Sequence, residues 1–138
     1  HGFSITKVCV DKTSDIPVRT QSLMGKVDTV FILPSNLISP ATPALVSVTR
    51  RHKIPVIDYS PSSTKEHQTL ASYTVDWSGI GDITAGLADK ILKGGSAASM
   101  APVKPKAEAH QAYISGKRLS ALGMKLPGSL AGCNCVLK

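Results

Sequence analysis

Between residues 27 and 93, short apolar runs alternate with amphipathic stretches, and this alternation limits the fold more than any other feature of the chain. Residues 27–33 (VDTVFIL) are nearly all apolar, which suits a strand buried on both faces. Residues 41–53 (ATPALVSVTRRHK) read as a helix, because Pro40 and Pro43 fit only a loop or a first helical turn. Residues 54–59 (IPVIDY) read as a strand, 60–67 as a polar loop or short helix, and 70–75 as another strand. Residues 79–93 predict a helix ended by Gly94 and Gly95, with Ile80, Ile83, Leu87 and Ile91 on one stripe.

The flanking segments extend the pattern. Residues 3–10 (FSITKVCV) alternate apolar and polar, as a strand does. A helix is expected to start around Ser14, Asp15, Ile16 and Pro17 and to stop at Gly25. Residues 95–107, rich in Ala, Ser, Pro and Lys, read as an extended connector. Residues 109–114 predict a last strand, and Ser115 caps a short helix, SGKRLSAL, closed by Gly123. The chain is thus expected to be α/β: a three-layer, Rossmann-like (flavodoxin-like) parallel sheet with right-handed crossovers. Its 138 residues suit one domain or one lobe of a larger protein.

In parallel sheets, ligands bind beyond the carboxyl ends of the strands. Three loops fall there: Pro34, Ser35 and Asn36; Tyr59, Ser60 and Pro61; Asp76, Trp77 and Ser78. Asp76 is both a good N-cap for the helix that follows and a possible ligand contact. Trp77 could serve packing, or an aromatic or cationic ligand at a site mouth. Asn36 fits a turn as well as a contact.

Other chemistry is missing. There is no GxxxxGK[ST], no GxGxxG after the first strand and no GxSxG. His1, His52, His67 and His110 lack HExxH spacing and are expected to be solvated. Asp11 and Asp58 would end strands, so a phospho-receiver is conceivable, but no partner Lys follows at a later strand end. The net charge of +7 would allow nucleic acid as a partner. Its densest cluster, Arg50, Arg51, His52 and Lys53, instead suits a helix end, and no nucleic-acid partner is expected. No run of about 18 apolar residues is present. No signal peptide is visible ahead of His1, which leaves the compartment open. Cys9 is expected to be a small buried hydrophobe. Cys133 and Cys135, in a separate tail over 131–138, suggest an interchain disulfide or a disordered end rather than a metal site.

Four segments in order, LMGKVDTVFILPSN, PALVSVTRRHKIPVI, ASYTVDWSGIGDITAGLADKILKGG and SGKRLSALGMKLPGSL, resemble the C-terminal half of an ABC-transporter solute-binding protein. The group is the type I periplasmic binding proteins that includes tryptophan and tyrosine binders, and the resemblance covers about residues 3–130. It implies one lobe of a two-lobed protein that closes on a small amino-acid-like ligand. It further implies hand-over to a membrane permease, a periplasmic or extracellular membrane-associated location, no cofactor, and no catalysis. Asn36 matches the family's Asn beside the ligand, Asp76-Trp77 its Asp-Tyr, and Gly81 its following glycine. Leu37 and Gln68 depart from the family's hydroxyl residue and glycine. Ligand binding is therefore expected of Asn36, Asp76 and Trp77 through the resemblance, and of Ser35, Tyr59 and Ser60 through their place at the strand ends. It also implies that the 79–93 helix packs largely on the first lobe, so its stripe of Ile80, Ile83, Leu87 and Ile91 is expected to fold back on its own sheet or to drive self-association. The rival reading is a self-associating structural domain with a dead solute site.

Overall fold

The computed structural model describes residues 2–138, with Glu108 described by its backbone only. His1 lies outside the described residues.

A five-stranded sheet runs in the order β1 (Val30–Ile32), β2 (Val56–Asp58), β3 (Ala71–Val75), β4 (His110–Ser115) and β5 (Val136–Leu137). β1, β2 and β3 are mutually parallel, with Ile32 opposite Asp58 and Asp58 opposite Ser72. β4 is antiparallel to β3, and β5 is parallel to β4. The reversal follows from the connection. The chain leaves β3 on a long helix and returns to the same end of the sheet, where the Asp76 amide donates to the Ala109 carbonyl at 2.6 Å. A strand that starts where its neighbour ends can only run antiparallel.

Helices α1 (Ile16–Gln21) and α2 (Thr42–Arg51) pack together. Pro17 and Pro43 stand in their first turns, where the missing N–H costs nothing. Arg50 and Arg51 lie in the last turn of α2, the end where the helix dipole favours cations. Ile16, Ile32, Ala41, Leu45, Val46 and Val56 form the buried core between this helix pair and the sheet. α3 (Pro61–Lys65) packs on β3 and β4. α5 (Gly116–Leu122) is capped by Ser115, whose Oγ accepts the Arg118 amide at 3.1 Å, and closed by Gly123 at φ 68.

Several expectations fail. Residues 3–10 do not form a strand: Phe3 and Ile5 are exposed, and only Val10 reaches the core. Alternation gives a segment two faces but no neighbour to pair with. Cys9 is an exposed free thiol, not a buried one. The 27–33 run yields only three strand residues, and one face of them is wet: Ile32 is buried while Phe31 and Leu33 are exposed. The tail is neither interchain-bridged nor disordered. Cys133 and Cys135 form an intrachain disulfide, and Val136–Leu137 joins the sheet. His67 is more than solvated, since its ring Nδ1 lies 2.8 Å from the buried Ser115 Oγ.

α4 (Trp77–Leu92) has no buried residue and does not fold back onto the sheet. Ile80, Ile83 and Leu87 are half-buried, and Ile91 is exposed. A shallow hollow of about 470 Å³ beside Ile83 is lined by Val103, Lys104, Lys106 and Ala109, so the connector shelters part of the stripe. No helix among the described residues is long and apolar enough to cross a membrane.

Candidate functional site

The parallel register brings the ends of β1, β2 and β3 to one edge of the sheet, so the loops carrying Ser35, Asn36, Tyr59, Ser60, Asp76 and Trp77 share that edge. Two of these loops are bonded to each other. Ser39 Oγ donates to the Ser35 carbonyl at 2.8 Å and lies 2.8 Å from the Tyr59 hydroxyl. A serine has one hydroxyl proton, so with that proton on Ser35 the tyrosine is the donor. Ser35 Oγ accepts the Leu37 amide at 3.2 Å, which folds the loop so that Asn36 projects at an exposed turn.

The β2 and β3 ends repeat one device. Asp58-Tyr59-Ser60 and Asp76-Trp77-Ser78 are both acid–aromatic–serine. In each, Oδ1 of the aspartate accepts the amide of the serine two residues on, at 3.1 Å. This local turn is characteristic of Asp and holds the intervening aromatic residue at the bend. The settings differ. Asp58 is buried at 1% exposure, whereas Asp76 is half-buried and Trp77 is 67% exposed. Asp76 also caps α4, so its capping role and an open position at the edge coexist. A side chain at Gly79 would start 3.3 Å from Asp76 Oδ2, so the glycine keeps that oxygen uncrowded.

Among the described residues, no hydrogen bond links the Asp76–Trp77 corner to the Ser35–Ser39–Tyr59 group. Ser60 Oγ is engaged with Ser62 Oγ at 2.7 Å. Sequence reasoning missed Ser39, which carries no distinguishing signal, and Asp58 as the support of its loop. Comparing the two strand ends would have exposed the shared Asp-x-Ser pattern. Among the described residues, no three His, Cys, Asp or Glu side chains gather as a metal ion would require.

The profile of a family described as ABC transporter substrate binding protein matches residues 1–132. The chain is 26% identical over 125 residues to a tyrosine-binding protein of Clostridioides difficile, covering 91% of this chain and 35% of that protein. A Streptococcus pneumoniae ABC domain in complex with L-Trp superimposes with a TM-score of 0.74 at 27% identity, over 93% of this chain and 44% of that one. A conserved domain protein from Vibrio cholerae shares the fold, with a TM-score of 0.83 at 24% identity, over 100% of this chain and 46% of its own. The chain therefore spans less than half the length of the proteins it matches. With its α/β sheet and strand-end loops, the chain belongs to the ABC transporter substrate binding protein family.

Proposed function

We propose that this chain is one lobe of an extracytoplasmic solute-binding protein that captures an amino-acid-like ligand for the membrane permease of an ABC importer. The observation that carries the reading is the Asp76–Trp77 corner. A carboxylate with one oxygen uncrowded sits beside a largely exposed indole, at the edge where α/β sheets bind ligands. Asp76 pairs with the ligand's ammonium. Trp77 and Tyr59 offer faces to an aromatic side chain, and Ser35, Asn36 and Ser60 offer hydrogen bonds at the rim. The likeness to a tyrosine-binding protein and to a domain complexed with L-Trp supports an aromatic amino acid as the first candidate. The role is capture and release, not catalysis.

The opposite wall of the cleft comes from a second lobe, and the α4 stripe of Ile80, Ile83, Leu87 and Ile91 is the surface that docks on it. This reading predicts that residues 1–138 alone bind weakly. Calorimetry with L-tyrosine and L-tryptophan, on the product of the whole coding sequence and on residues 1–138, tests it. Tight binding by a monomeric 138-residue chain would overturn the half-site view, and no binding of either amino acid by the whole product would overturn the ligand class.

A second reading has one observation in its favour. A 16-residue helix without a single buried residue is unusual in a stable domain. If copies of this chain pair through α4, the protein is a self-associating scaffold, and the strand-end loops serve no solute.

A further inference from the structure

The sheet edge away from Asp76 and Trp77 gathers the end of α2, the turn between α3 and β3, and the junction of β4 with α5. His67 ties them together. Its backbone lies in the left-handed region at φ 56. Its carbonyl accepts Arg50 Nη2 at 3.1 Å, and its ring Nδ1 lies 2.8 Å from Ser115 Oγ, which accepts the Arg118 amide at 3.1 Å. Arg50 and Arg118 therefore project from two elements bonded to one joint, and Ser115 within it is fully buried.

The charge at this joint is one-sided. Among the described residues the one ion pair is Lys93 with Asp89, on α4. Glu66, the acid next to His67, has Oε2 engaged by Gln68 Nε2 at 2.7 Å. Arg50 uses only Nη2, toward the His67 and Gln68 carbonyls, which leaves its Nε and Nη1 donors. Among the described residues no acceptor reaches the Arg118 guanidinium. Burial first, and then the charge of Arg50, hold the Arg118 guanidinium below its ordinary value.

Among the described residues neither Arg50 nor Arg118 has an acidic partner, so an anion at this joint would supply the missing counter-charge. We propose that Arg50 and Arg118 form a binding site for a phosphate-type dianion, separate from the solute site and independent of the function proposed above. Guanidinium forks match phosphate oxygens, and a group carrying close to two negative charges answers both arginines, where one carboxylate answers one. Lys53 and Lys117, exposed at the same edge, add attraction. The dianion's source is a soluble phosphomonoester or the phosphatidate of a membrane surface.

The test is calorimetric titration of the chain with inorganic phosphate at constant ionic strength, for wild type, Arg50→Gln, Arg118→Gln and Lys104→Gln. Saturable binding is expected, weakened about tenfold in either arginine variant and unchanged when the exposed connector Lys104 is replaced. Melting in chloride buffer checks that each variant is folded. No saturation, equal affinity in the arginine variants, or an equal loss in Lys104→Gln would overturn the site. Sedimentation with phosphatidylcholine vesicles, with and without phosphatidic acid, identifies the source. Arginine-dependent pelleting on phosphatidate supports the lipid, and phosphate binding without pelleting supports the soluble group.

Discussion

Asp58 and Asp76 close the same turn at the ends of neighbouring parallel strands, each accepting a serine amide two residues on at 3.1 Å, yet one is buried and the other is not. The difference divides their roles. Asp58 supports the loop that carries Tyr59, and Asp76 has an oxygen to offer.

Asp76→Asn separates the roles of that residue. Asparagine caps helices as well as aspartate, so stability should change by only a few tenths of a kcal/mol. Losing the charge should weaken amino-acid binding by about tenfold or more. Asp76→Ala should lose binding and also about 1 kcal/mol of stability, through the cap. Urea melts alongside calorimetry on the whole coding product measure both effects.

Tyr59→Phe removes the donor to Ser39 without emptying space. The loops after β1 and β2 then lose the bond that joins them. About 0.5–1.5 kcal/mol of stability should go, as for a typical hydrogen bond. Ser39→Ala should cost more, because it also loses the bond to the Ser35 carbonyl, and the double variant should cost less than the sum, because the two substitutions share the Tyr59 bond.

Leu87→Glu tests the partner of α4. If the stripe docks on a second lobe or a second copy, the substitution should abolish that association while leaving the chain folded, because Leu87 is only half-buried here. Sedimentation velocity on residues 1–138 reads it. Wild type is expected to self-associate with concentration, and the variant to stay monomeric.

Leu45→Ala should be the severe change. Leu45 is 6% exposed within the α1–α2–sheet core. Truncations of this kind cost about 2–5 kcal/mol. For a domain of marginal stability that is a large share of the total, visible as a fall in urea midpoint.

The elements legible in the sequence are those with signals on both ends. Pro43 and the Arg50–Arg51 pair bracket α2, and Ser115 and Gly123 bracket α5. Asp76, Trp77, Tyr59 and Ser60 could be placed at one edge because parallel strands put them there. What depends on distant partners was not legible. Alternation at 3–10 could not say that nothing pairs with it, and no local signal told that β4 re-enters beside β3 in the opposite direction. The tail looked loose because Cys133 and Cys135 are too close in sequence to suggest the edge strand that follows them.

The bond from the Asp76 amide to the Ala109 carbonyl gives α4 a separate thermodynamic life. Everything between those residues leaves the sheet and returns at one point, so α4 can melt and re-form while every strand pairing stays intact. A helix of this length is marginal without packing, so α4 is expected to open as a unit apart from the sheet. Its amides should exchange with solvent far faster than those of β3, and binding of a partner along its stripe would appear as protection arising in that helix alone.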